Sequence, residues 1–170
     1  PTLRDMRFED INTSSVLAAN LAQPSFIGGE YVAGNDEESG VTGQAVQIYG
    51  GGTPISPMVF QDATFQSTNK GCGNRDGGRS AIWASQTFIR VQNSDFAGGD
   101  FGISIRNSAG KVTNSTISVT CNGIDVNSLK AIGNTEYDVE ISNNVITTTQ
   151  RTPITAYSGA DVRIHNNELA

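Results

Sequence analysis

The chain has 170 residues, with 17 Asp and Glu against 11 Lys and Arg, a formal charge of −6, 19 glycines and only 16% charged residues. An acidic surface with dispersed basic residues excludes a nucleic-acid backbone as partner, and no apolar run reaches the roughly 18 residues that a membrane span needs. The length suits one domain over residues 1–170, and two cysteines are too few for a disulfide scaffold.

Along the chain one phrase recurs: an apolar residue, any residue, a small polar residue or Gly, two more, then a second apolar residue. Its copies run over Phe8–Thr13, Ile27–Val32, Phe60–Phe65, Val91–Phe96, Val112–Ile117, Ile141–Ile146 and Ile164–Leu169. Between successive copies lies a shorter apolar, any, apolar motif at Val16–Ala18, Val46–Ile48, Ile82–Ala84, Ile103–Ile105, Ile124–Val126 and Ile154–Ala156. The longer motif starts at 8, 27, 60, 91, 112, 141 and 164, in steps of 19, 33, 31, 21, 29 and 23. The shortest steps hold three short strands and three turns, so each step is one circuit of a coil and the excess in longer steps is loop insertion. Alternation of period 2 turns Val, Ile and Phe inward, while no apolar set recurs at helical spacing.

The pattern therefore predicts an all-β fold, a right-handed parallel β-helix of one chain with about seven rungs. The polar position of the phrase, occupied by Asp10, Gly29, Asp62, Asn93, Asn114, Asn143 and Asn166, suits a tight bend, because these residues tolerate left-handed backbone angles. Stacked up the coil, they are expected to form an inward, hydrogen-bonded asparagine ladder with a structural role. The repeat resembles the right-handed parallel β-helix superfamily of pectate lyases, polygalacturonases, alginate epimerases and phage tailspikes. That resemblance implies the fold over essentially the whole chain and does not select among those activities.

Two long insertions leave the same corner of the coil, residues 33–44 and 66–79. Loops held by a rigid scaffold carry function, and counting back from the following strands stacks Arg79, Asp100, Cys121 and Arg151 in a column at that corner. Asp76 and Asp100, on adjacent rungs, are the candidate carboxylate pair of an inverting glycoside hydrolase, which needs its acid and base about 6.5 to 9.5 Å apart. The same corner resembles that of a polygalacturonase: Asn74–Gly77 is similar to N-T-D-G, Gly99–Asp100 to the start of G-D-D, and Asn122–Gly123 to part of G-H-G. Phe101 stands where that family has its second acid, and Asn122 where it has its histidine. The resemblance implies catalysis by Asp76 and Asp100 with Arg151 as a substrate-binding group, and Arg75, Arg79 and Asn122 at the same corner are further candidates to bind substrate. Trp83, on a strand, adds an aromatic face for a sugar ring. A cross-rung ion pair between Arg79 and Asp100 is the structural alternative.

Cys72 lies two rungs from Cys121, about 10 Å by strand spacing; two fixed strands are too far apart for a bridge, whereas the Gly-rich loop around Cys72 can fold back, so the pairing is open. His165 is expected to face outward. No cofactor is called for, although the acidic stretch Asn35–Glu38 offers oxygen ligands of the kind that take Ca²⁺. The expected partner is a polysaccharide, and the expected place secreted or extracellular, at a cell surface. The alternative is a non-catalytic structural or adhesive module, such as a tailspike or surface-fibre segment. An exposed coil end presents unpaired backbone groups, so a neighbouring chain or a homo-oligomer capping the ends is also expected, as is a chain that is a fragment of a longer one.

Overall fold

Strands of two to six residues stack in three parallel sheets in a computed structural model that describes residues 2–10, 16–19, 24–33, 35–36, 41–42, 45–67, 72, 80–127, 139–157 and 159–170. In space, the first sheet orders Thr2–Arg4, Ser25–Ile27, Met58–Gln61, Phe88–Gln92, Ala109–Thr113, Val139–Ser142 and Val162–His165. The second orders Arg7–Asp10, Glu30–Ala33, Thr64–Ser67, Asp95–Gly98, Thr116–Val119, Val145–Thr148 and Glu168–Leu169. The third runs from Val16–Ala19 through Val46–Tyr49, Ser80–Ser85, Phe101–Arg106 and Asn122–Asn127 to Ile154–Ala156. Every pairing within these sheets is parallel, as between Val91 and Val112 or Ile103 and Ile124. The chain thus visits the three sheets in turn, and among the described residues it forms no helix. One antiparallel hairpin, Asn35–Asp36 with Val41–Thr42, lies within the first insertion.

The core is the inside of the coil, where like residues sit on like. Phe8, Tyr31, Phe65 and Phe96 stack at centroid distances of 5.3, 4.9 and 4.5 Å, and Ile117 and Ile146 continue the column. Phe26 and Phe60 stack at 4.9 Å on the first sheet. The third sheet contributes Val46, Ile82, Ile103 and Ile124, all fully buried. Parallel sheets bury such β-branched columns well, since each side chain meets its counterpart one strand away.

The bend between the first and second sheets carries the device anticipated from the repeat, with one correction. Asp62, Asn93, Asn114, Asn143 and Asn166 do adopt left-handed angles, with φ between 50° and 57°. Their side chains, however, are exposed. The hydrogen-bonded column belongs to the following residue: Ala63 N–H donates to Ser94 Oγ at 3.3 Å, Ser94 N–H to Ser115 Oγ at 3.2 Å, Ser115 N–H to Asn144 Oδ1 at 3.0 Å, and Asn144 N–H to Asn167 Oδ1 at 3.0 Å. A left-handed residue turns the chain so sharply that its own side chain leaves the coil and the next one enters it. The first two copies also shift in phase, because Leu3 pairs with Phe26 and Phe26 with Phe60, so neither Phe8 nor Ile27 begins a repeat. Consecutive Gly28 and Gly29, both at positive φ, had offered two equivalent bends. Asp10 consequently falls on a second-sheet strand and not at the bend.

Candidate functional site on the outer face of the third sheet

Strands of the third sheet present an outer face through a repeated out-in-in-out-in-out pattern, as in Phe101-Gly-Ile-Ser-Ile-Arg106. The register passes from Phe101↔Asn122 to Ile103↔Ile124 without pairing the glycines between them. A Cβ on Gly102 would meet Ile117, and one on Gly123 would meet Ile146, both core side chains, so these two positions point inward. Phe101, Ser104 and Arg106 therefore face outward, as do Asn122, Asp125 and Asn127 on the next strand.

One side of this face is aromatic. Trp83 and Tyr49 approach at 4.7 Å between centroids with ring planes tilted by 59°, and Gln47 donates from Nε2 to Tyr49 Oη at 2.8 Å. Tyr49 is 43% exposed, so this pair meets solvent. Gln47 pairs with Trp83, Trp83 with Ser104, Ser104 with Asp125 and Asp125 with Thr155, which makes a single line across five strands.

The other side is polar and enclosed. Ser104, Asn122 and Asp125 are buried although they leave the sheet away from the core. Arg106 Nε donates to Ser104 Oγ at 3.2 Å, and its Nη2 lies 3.6 Å from Asp125 Oδ2. Asn122 Nδ2 donates to Thr155 Oγ1 at 3.0 Å. Among the described residues, Oδ1 of Asn122 and Oδ1 of Asp125 have no hydrogen-bond partner. Burial raises the pKa of Asp125 above the ordinary carboxylate value, while the Arg106 charge and a hydrogen bond from Asn122 act in the opposite direction. A carboxyl so placed can accept hydrogen bonds or exchange a proton with a ligand.

The corner singled out from the sequence is partly described. Asp76, Arg75 and Arg79 lie outside the described residues, as do Glu37 and Glu38 of the acidic stretch. Asp100 is fully buried at the tight turn after Gly98 and Gly99, and its carbonyl accepts Cys121 N–H at 2.8 Å. Arg151 is exposed, and its guanidinium donates to the carbonyl of Cys72. Cys72 and Cys121 form a disulfide with Cα atoms 5.7 Å apart; Cys72 stands outside the strands and so is not bound to strand spacing. Asn122 and Trp83 therefore share the third-sheet face, while Asp100 and Arg151 belong to the corner beside it. His165 lies on the outer face of the first sheet, 3.3 Å from Glu140, which also accepts from Lys111 Nζ at 2.6 Å; these hydrogen bonds hold the Glu140 carboxyl below its ordinary pKa.

Sequence reasoning missed Asp125 and Arg106. Ile124-Asp-Val126 had been read as a plain strand, and an acidic residue at its outward position was the available signal. Among the described residues, no group of three or more His, Cys, Asp or Glu side chains is placed to hold a metal ion, and no helix is long and apolar enough to cross a membrane.

The stacked parallel sheets and the inward columns define a coiled repeat protein. Residues 31–170 match the family described as right handed beta helix region, and the chain belongs to that family. No curated protein and no solved structure matches the chain.

Proposed function

We propose that this protein engages carbohydrate on the outer face of its third sheet. The observation that carries the reading is the solvent-facing Trp83–Tyr49 pair, fixed on adjacent strands with Gln47 at its edge. Aromatic faces beside planar polar groups suit a sugar ring, which has apolar C–H faces and a hydroxyl rim. A disulfide supports an oxidising, extracellular setting. Cleavage by Asp76 and Asp100 is the finer form of this reading; full burial of Asp100 weighs for binding without hydrolysis.

The test is affinity electrophoresis against acidic and neutral polysaccharides, with reducing-sugar and unsaturated-product assays run in parallel. Retardation that Trp83→Ala abolishes supports carbohydrate binding, and release of ends lost in Asp100→Asn would add hydrolysis at the corner. Absence of any Trp83-dependent retardation refutes the reading. A structural or adhesive module is then favoured.

A further inference from the structure

Asn122 and Asp125 stand on the same strand, on the same face as Trp83, and each is more than nine-tenths buried. Their hydrogen-bonding capacity can be counted. Asn122 donates from its amide toward Thr155 and toward the Asp125 carboxylate, Asp125 Oδ2 also faces Arg106, and Oδ1 of each residue remains without a hydrogen-bond partner among the described residues. Two enclosed acceptors on one patch form an uncompensated acceptor surface, and native proteins rarely leave such groups unsatisfied.

We propose that Asn122 and Asp125 form a subsite that takes the hydroxyl edge of a neutral sugar residue, adjoining the ring stacked on Trp83; the proposal rests on the carbohydrate reading above. Hydroxyl groups supply the donors that both oxygens lack, and each hydroxyl oxygen remains able to accept from a neighbouring group such as Ser104. A divalent cation fits poorly: among the described residues Asp125 is the single carboxylate of the patch, Arg106 lies 3.6 Å from it, and hard cations take six or more oxygens. A uronate fits poorly as well, since its carboxylate brings no proton at neutral pH and would meet Asp125 as a like charge.

Trp83 and Asp125 are two strands apart, about 9.6 Å at about 4.8 Å per strand. A ligand that touches both is therefore an oligosaccharide running along the coil axis, not a monosaccharide.

The experiment is titration calorimetry with tetrasaccharides of xylan, mannan and β-glucan and with tetragalacturonate, on the intact protein and on Trp83→Ala, Asp125→Asn and Asn122→Leu. Urea midpoints check folding, and Asp125→Asn, nearly isosteric, carries the test if Asn122→Leu does not fold. At least one neutral tetrasaccharide is expected to bind more tightly than tetragalacturonate, and loss of one acceptor is expected to weaken it by roughly tenfold. Tetragalacturonate binding as tightly, or neutral binding unchanged in Asp125→Asn, overturns the subsite, the oxygens then holding ordered water only, while Trp83-dependent binding keeps the broader reading. Loss of Trp83-dependent binding for every tetrasaccharide overturns both.

Discussion

The bend between the first and second sheets and the outer face of the third are built from the same residue types, Asn, Ser and Asp, yet they differ in how their polar atoms are satisfied. At the bend, Ser94, Ser115, Asn144 and Asn167 each accept a backbone N–H from the turn before and pass the pattern along the coil. On the outer face, Asn122 and Asp125 are as deeply buried, but each keeps an acceptor without a donor among the described residues. Polar burial that closes on itself stabilises the coil; polar burial left open costs stability and is retained where a ligand or a proton can use it. The outer face of the first sheet resembles the bend in this respect, since Lys111, Glu140 and His165 satisfy one another.

The largest expected effect lies in the inward aromatic column, the common support of both regions. Phe65 is 1% exposed between Tyr31 and Phe96, and Phe65→Ala should cost about 3 to 5 kcal/mol in urea unfolding. A loss below about 1 kcal/mol would mean that the column repacks freely. Next comes the disulfide, which closes a loop of 49 residues; Cys72→Ser with Cys121→Ser should lower stability by about 2 to 4 kcal/mol, read as a shift of the urea midpoint.

Asn144→Ala breaks the closed network at its centre. It removes the acceptor of Ser115 N–H and the donor to Val112 C=O, so a loss of about 2 kcal/mol is expected. A neutral result would show that the ladder is ornamental to stability.

Asp125→Asn sharpens the contrast with an effect of opposite sign and the smallest size. The folded-state pKa of Asp125 is raised, so the native state binds its proton more tightly than the unfolded chain, and wild-type stability should fall as pH rises from the unfolded carboxylate value through the folded one. In Asp125→Asn that fall should shrink, leaving the variant relatively more stable at neutral pH than under acid. Parallel urea midpoints across the acid range check it; identical profiles would mean that Arg106 and Asn122 fully offset the burial.

Much of the fold was legible in the residues because a β-helix repeats its physics. An apolar residue in each strand and a left-handed Asn or Asp at each bend, as in Val91 to Phe96 and Ile141 to Ile146, are local requirements that every turn must meet. The ladder position was misread by one residue because either Asn of Asn143-Asn144 fits the pattern, and only the path of the chain separates the one that turns out from the one that turns in. Trp83 and Asn122 were legible as candidate site residues, one by its aromatic face and the other by its place in a motif. Asp125 was not, because an acidic residue at an outward strand position reads as an ordinary surface charge.

Sequence alone determined that this chain coils into stacked parallel strands, since period-2 alternation and repeated bends admit no helical packing of the same residues. Tertiary structure decided which polar side chains close on each other and which are left open, because that depends on residues brought side by side from different turns. Arg106 meets Asp125, Asn122 meets Thr155 and Cys72 reaches Cys121 across 19, 33 and 49 positions of sequence. Their spacing follows from insertion lengths and strand register, and no local propensity records it.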